Sequence, residues 1–130
     1  MTKLNAELTK YFDNLKNGCK NLITSQDLSK KIEAKEEMFL LDIREKEDYD
    51  KEHIEGAFHA EWNEVGEFIE DDVFTKDELV IVICGTGQTA GQIVGILKSM
   101  GYNACALKDG MLNGWLNDAM PVKAACDTWG

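Results

Sequence analysis

The stretch that decides the fold is LVIVICGTGQTAG, residues 79–91. Its first five residues are apolar and mostly β-branched, and glycines follow, which is typical of a central parallel strand buried on both faces. From Thr89 to Met100 the apolar residues recur at helical spacing, so we expect a helix after the strand. Cys84 then lies where the strand turns into the helix. Loop amides and the helix N-terminus carry partial positive charge there, which favours a thiolate that acts as a nucleophile.

The composition limits what the chain can be. Its 130 residues suit one globular domain and are too few for two. A net charge of −10, from 24 acidic and 14 basic residues, argues against nucleic acid or an anionic membrane as a partner, because both require clustered Lys and Arg. No apolar stretch approaches the roughly 18 residues of a membrane span, and the first residues have no signal-peptide core, so we expect a cytoplasmic protein.

The cysteines show no pairing pattern. The four of them are Cys19, Cys84, Cys105 and Cys126, and none belongs to a C-x-x-C motif. We therefore expect free thiols and no metal site. Cys105 alternates with small apolar residues and is predicted to lie in the core. Cys126 lies in a polar tail, where a thiol without a function is favoured over one that forms a mixed disulfide.

Strand and helix patterns alternate along the chain. Strands are predicted at 22–23, 38–42, 57–60, 79–83 and 103–107, and helices at 24–34, 45–52, 62–69, 89–100 and from Gly110 onward. This alternation predicts a mostly parallel sheet covered by helices on both faces. A weak apolar stripe over 1–15, stopped by Asn17-Gly18, predicts an extra amphipathic helix. We divide the chain into an N-terminal helical extension, 1–19, a domain, 20–123, and a C-terminal tail, 124–130.

Polar residues follow three of the predicted strands. Asp42, Cys84 and Asp109 map to carboxyl ends of strands, and ligands of parallel sheets bind beyond those ends. A structural role is the favoured interpretation for the two aspartates, since a polar residue at a strand end is also where a chain meets water.

Four motifs together resemble one family. LLDIRE, HIEGAFH, IVICGTGQTA, and LKDGMLNGW followed by PV occur in the order of the single-domain rhodanese (thiosulfate sulfurtransferase) homology family, over about residues 20–123. The resemblance implies a five-stranded parallel sheet flanked by helices, with Cys84 as the active-site cysteine. It implies that this cysteine accepts a sulfane sulfur as a persulfide and passes it to a thiol or to cyanide. No metal or organic cofactor is implied.

The loop after Cys84 suits this chemistry. Its residues are Gly85, Thr86, Gly87, Gln88 and Thr89, and their amides are expected to form an anion pocket around the sulfur. The two glycines have no Cβ to keep backbone N–H groups away from the sulfur. Thr89 matches the hydroxyl residue that closes this loop in the family, where it donates to the sulfur or caps the next helix.

Arginine is scarce in this chain. Phosphatases and arsenate reductases with a related cysteine loop need an arginine six residues after the cysteine, and Ala90 occupies that position, so phosphoryl transfer is excluded. Arg44 is the single arginine, in the LDIRE segment. By the resemblance, Asp42 and Arg44 support the loop region through a carboxylate contact rather than by touching substrate. His53 and His59 are interpreted as structural residues of the HIEGA turn.

The loop also departs from well-studied members of the family, many of which carry Arg or Lys within it. Here the loop is uncharged on an acidic protein, so we hypothesise that thiosulfate is a poor donor. A polysulfide, a small persulfide or a protein persulfide would then be the natural donor, with Thr86 and Gln88 making neutral hydrogen bonds to it.

Two alternatives remain open at this point. Gly85-x-Gly87-x-x-Ala90 fits a dinucleotide-binding fingerprint, with Asp109 some twenty residues further on. Against this, too few residues follow Asp109 to complete a dinucleotide domain. The second alternative is a non-catalytic rhodanese-like module that binds a partner protein.

Overall fold

The computed structural model describes residues 3–18 and 21–123, so Cys19, Cys126 and the tail 124–130 lie outside the described residues. The described strands are β1 (Leu22–Ile23), β2 (Phe39–Asp42), β3 (Phe58–His59), β4 (Leu79–Ile83) and β5 (Asn103–Leu107). The α-helices are α1 (Ala6–Lys16), α2 (Ser25–Glu33), α3 (Lys46–Lys51), α4 (Val65–Glu70) and α5 (Gln88–Ser99). A 3₁₀ turn, Trp62–Glu64, precedes α4, and a π-helix, Gly110–Trp115, follows β5.

The strands form one parallel sheet with β4 at its centre. Their spatial order is β1-β5-β4-β2-β3, and every neighbouring pair is parallel. Asp42 at the end of β2 is in register with Ile83 at the end of β4. The residue that follows β4 therefore emerges at the middle of the carboxyl edge of the sheet. The predicted α/β class and five-stranded sheet are confirmed.

Both faces of the central strand are buried, as its apolar sequence predicts. Successive side chains of a strand point to opposite faces. Val80 and Val82 belong to a core beneath α4 and α5, together with Leu41, Val94 and Leu97. Ile81 and Ile83 belong to the other core, which also holds Leu28 of α2 and Met111 and Trp115 of the π-helix. The helices therefore cover the sheet on both sides.

The predicted N-terminal helix is present as α1. Asn5 caps it by accepting a hydrogen bond from the Leu8 amide (2.8 Å), and it ends at Asn17. α1 contacts α5, and the Asn21 side chain donates to the Tyr11 hydroxyl (2.8 Å). None of its own residues is buried. Within residues 3–18 and 21–123, no helix has the length and apolar character needed to cross a membrane.

Candidate active site

Cys84 is held at the carboxyl end of the central strand by backbone amides. Its thiol is free and 5% exposed. The amide nitrogens of Gly87 and Ala90 lie 3.0 and 3.3 Å from Sγ and donate to it. The first amides of a helix have no partner within the helix, and the first backbone bond of α5 is made by Gly91 to Gly87 (3.1 Å). The Ala90 amide is therefore available to the sulfur, and both donors favour negative charge on it.

The loop closes one residue earlier than the sequence suggests. Gly87 has φ 94°, in the left-handed region, and is the N-cap of α5, which begins at Gln88. Of the two roles left open for Thr89, capping of this helix is wrong, because Thr89 already lies in the first turn. Because the cap residue is glycine, no side chain of the cap hydrogen-bonds to the first amides of α5. A left-handed cap is a conformation that glycine adopts without strain.

Ala90 contributes to the site through its backbone. Its side chain is fully buried in the same core as Cys84, where an unpaired charge would be costly. The contribution of Ala90 is its amide. Sequence reasoning missed this contact because the predicted anion pocket ended at Thr89.

The π-helix packs directly on Cys84 and the loop that follows it. The amides of Met111 and Leu112 donate to the carbonyl oxygens of Cys84 and Gly85, at 2.8 Å each. Gly110 makes this approach possible, because a Cβ on it would lie 2.5 Å from the Cys84 oxygen and 2.6 Å from the Gly85 carbonyl carbon. The sequence carried one signal for this contact, the glycine after Asp109. The backbone of the loop is thus fixed from the side opposite α5.

Asp42 and Arg44 form a buried ion pair. Arg44 Nε lies 3.0 and 3.1 Å from the two Asp42 carboxylate oxygens, and Nη2 lies 2.8 Å from Oδ2. Nη2 also donates to the Glu52 carbonyl oxygen (2.7 Å). The Asp42 side chain is fully buried, and that of Arg44 is 6% exposed. The pair therefore ties the end of β2 to the segment after α3.

The two histidines surround Tyr49. His53 stacks on its ring at 3.9 Å between centroids and His59 at 4.8 Å. His53 Nδ1 lies 2.8 Å from the Tyr49 carbonyl oxygen, and His59 Nε2 lies 2.8 Å from the Arg44 carbonyl oxygen. These are packing and backbone contacts, in line with the structural role expected from the sequence.

Tyr49 is protected from ionisation. Burial raises its pKa above the ordinary value of 10.0, and the negative charges of Asp42 and Asp50 raise that pKa further, against a lowering effect of Arg44. Its hydroxyl donates to the Ala57 carbonyl oxygen (2.7 Å). Tyr49 therefore serves as a neutral structural donor below the ion pair.

A cavity of about 210 Å³ lies beside the loop. It is lined by Gly85 of the loop, by Leu112 and Leu116, and by four charged residues, Arg44, Asp48, Lys51 and Glu52. Leu112 is 60% exposed, and a Cβ on Gly85 would lie 3.6 Å from its Cδ1. The volume is below the roughly 300 Å³ at which pockets for drug-sized ligands begin. The cavity therefore suits a small molecule or the end of a longer one.

The remaining predicted residues lie elsewhere. Asp109 is exposed and has φ 62°. If Gly87 carried a Cβ, that atom would lie 3.3 Å from the backbone nitrogen of Asp109. The chain itself thus fills the space beside Gly87, which counts against a pyrophosphate there.

Cys105 is half-buried and lines a second cavity of about 500 Å³, which shares no residue with the first. The prediction of a core position for it holds only in part.

The fold and site together define a class of protein, a parallel α/β domain whose cysteine is held by loop amides after the central strand. The sequence matches the Rhodanese-like domain family over residues 24–118. Thiosulfate sulfurtransferase PspE of Escherichia coli is 41% identical over 73 residues, which cover 53% of this chain and 70% of PspE. Thiosulfate sulfurtransferase GlpE of Actinobacillus succinogenes is 32% identical over 90 residues, which cover 69% of this chain and 79% of GlpE.

Solved structures share the fold. A rhodanese-related protein from Thermoplasma volcanium superposes with a TM-score of 0.71 at 24% identity, covering 80% of this chain and 98% of that one. A rhodanese-like domain from Anabaena gives a TM-score of 0.72 at 20% identity, covering 86% and 85%. The chain therefore belongs to the rhodanese-like domain family. The family predicted from the order of the four motifs is confirmed.

Proposed function

We propose that this protein is a sulfurtransferase that moves a sulfane sulfur from a donor to an acceptor through a persulfide on Cys84. The observation that carries the proposal is the pair of amide contacts to Sγ, at 3.0 and 3.3 Å. Gly85, the residue after Cys84, lines a cavity of about 210 Å³. The names of the relatives PspE and GlpE, thiosulfate sulfurtransferase, support the same class of reaction.

The reaction has two displacements. In the first, the Cys84 thiolate attacks the outer sulfur of the donor, a new S–S bond forms, and the S–S bond between that sulfur and the rest of the donor breaks. With thiosulfate, the leaving group departs with the electron pair as sulfite. In the second, a thiolate or cyanide attacks the terminal sulfur of the persulfide, and the bonding electrons return to Sγ. Thiocyanate or a new persulfide is released, and Cys84 is regenerated as the thiolate.

The surrounding residues have distinct parts in this scheme. The amides of Gly87 and Ala90 stabilise negative charge on Sγ before the first attack, and again when the second displacement returns the electron pair to it. Thr86 and Gln88 are exposed on the loop and are proposed to donate hydrogen bonds to the incoming donor. Asp42 and Arg44 support the wall of the cavity through their ion pair.

The partners follow from the same chemistry. Thiosulfate, polysulfides and small persulfides are donors of suitable size for a cavity of about 210 Å³. A protein persulfide is a further partner, since an exposed loop also admits a sulfur atom carried at the surface of another protein. Because each cycle needs a reduced Cys84, we propose that the protein acts in the reducing cytoplasm.

A steady-state assay tests the function. Thiocyanate formation from thiosulfate or polysulfide and cyanide should show parallel lines in double-reciprocal plots, the signature of a double displacement. Cys84→Ser should abolish it, while Cys105→Ser, which changes the other described cysteine, should leave it unchanged. If the wild-type protein forms no thiocyanate from either donor, the non-catalytic binding module becomes the better interpretation.

A further inference from the structure

The cavity lined by Gly85, the residue after Cys84, is also lined by cationic residues from outside the loop. The loop residues themselves are uncharged, whereas sulfane-sulfur donors such as thiosulfate and polysulfide are anions. Of the residues that line the cavity, Arg44 and Lys51 are the two that carry positive charge. Which of them is available to a ligand depends on the contacts that each already makes.

Two of the three guanidinium nitrogens of Arg44, Nε and Nη2, already have partners within the protein. Its guanidinium contacts both carboxylate oxygens of Asp42, and Nη2 also donates to the Glu52 carbonyl oxygen. The charge of Asp42, which is fully buried, compensates that of Arg44 at close range. The field of Arg44 at the cavity is therefore largely cancelled.

Lys51 is not committed in this way. It is the last residue of α3, its side chain is exposed, and it makes no ion pair or hydrogen bond with the residues that the structure describes. By contrast, Lys46 at the other end of the same helix pairs with Asp50 at 2.6 Å. The Lys51 ammonium is thus a mobile cation on a flexible stem at the rim of the cavity.

Two acidic residues line the cavity together with this cation. Asp48 and Glu52 line the same cavity, and each repels an anionic donor. Without Lys51, the cavity would present these carboxylates and the neutralised Arg44–Asp42 pair. We propose that Lys51 is the residue that recognises the anionic group of the small sulfur donor, in place of a cation within the loop. This inference rests on the proposed function.

The turnover experiment compares Lys51→Gln with Lys46→Gln, which removes the same charge from the same helix outside the cavity. Lys51→Gln should raise the KM for thiosulfate about three- to tenfold with little change in kcat, as expected for one exposed charge facing a dianion. Lys51→Arg should restore most of the affinity, and Lys46→Gln should leave KM unchanged. The rise in KM caused by Lys51→Gln should be smaller for an alkanethiosulfonate anion, which carries one negative charge. That rise should also shrink with added salt.

A binding measurement separates this inference from the proposed function. In the Cys84→Ser background no sulfur is transferred, so calorimetric or NMR titration with thiosulfate reports binding alone. The additional change Lys51→Gln should weaken that binding by the same factor, and Lys46→Gln should not. Equal binding with and without Lys51 would overturn the inference even if the wild-type protein is active. Weaker binding without Lys51 would support it even if the wild-type protein forms no thiocyanate.

Discussion

Gly110→Ala tests whether the π-helix sets the geometry of the active-site loop. The new Cβ would lie 2.5 Å from the Cys84 carbonyl oxygen and 2.6 Å from that of Gly85. Ordinary contacts between such atoms begin near 3.5 Å, so the two segments must separate by about 1 Å. The residue also has φ 64°, which costs a residue with a Cβ about 1–2 kcal/mol. Together with about 1–3 kcal/mol of overpacking, we expect the free energy of unfolding to fall by about 3 kcal/mol.

Activity should fall as well. A misplacement of about 1 Å in a reacting group can lower the rate about a hundredfold, so kcat/KM for thiocyanate formation should drop by about that factor. Chemical denaturation and the cyanide assay measure the two effects. The matched control is Gly95→Ala in α5, where a Cβ meets no atom within 4 Å; it should stabilise the protein by about 0.5–1 kcal/mol and leave activity unchanged. A Gly110→Ala protein with wild-type stability and activity would refute the reasoning.

Two further predictions concern the region below the loop. Asp42→Asn should lower the free energy of unfolding by about 3–5 kcal/mol, because it leaves the buried Arg44 guanidinium without a counter-charge. Urea denaturation measures this change. A loss below about 1 kcal/mol would show that the ion pair contributes little to stability. The pKa of Tyr49 should lie above 10.0. Spectrophotometric titration of the wild-type protein, with Tyr49→Phe as the reference, measures it. Because folding raises the pKa of Tyr49, the associated stability is fully present at pH values below the pKa of Tyr49 in the unfolded chain. It is lost as the pH rises through the pKa of Tyr49 in the folded protein. Ionisation of Tyr49 at or below 10.0 would contradict this.

Much of the fold was predictable because its strands are strongly patterned. The run at 79–83 is apolar throughout, as a strand buried on both faces must be, and β4 occupies that range. β5 was predicted at its observed bounds, Asn103–Leu107. The hydroxyl residues at 24 and 25 were both candidates for the cap of α2, and Thr24 is the cap, accepting a hydrogen bond from the Asp27 amide at 3.1 Å. These features depend on local chemistry that a single sequence displays.

The site was predictable in its centre and less so in its surroundings. Cys84 after the central strand follows from the sequence pattern. The amide of Ala90 was missed because such a contact depends on how the first helical turn is oriented, and the side chain does not reveal it. The docking of Met111 and Leu112 joins backbone groups far apart in sequence, and only Gly110 signals it.

Lys51 was missed for a different reason. It belongs to a charged segment in which every ionised residue has the same expected role, contact with solvent. Its position at the rim of the cavity depends on the end of α3 facing the loop after β4, which the sequence does not specify. The hypothesis that thiosulfate is a poor donor rests on the absence of charge within the loop alone. Lys51 adds a positive charge outside the loop, which is a physical reason to test that hypothesis.

The mass of the Cys84 peptide is the measurement that tests the central claim most directly. The reduced protein is incubated with thiosulfate or with polysulfide, digested, and analysed before and after addition of cyanide, with Cys84→Ser as the control. We expect a gain of one sulfur atom on Cys84, its loss to cyanide as thiocyanate, and no gain at that position in the variant. Absence of added sulfur on Cys84 with both donors, or a sulfur found on Cys105 instead, would contradict it.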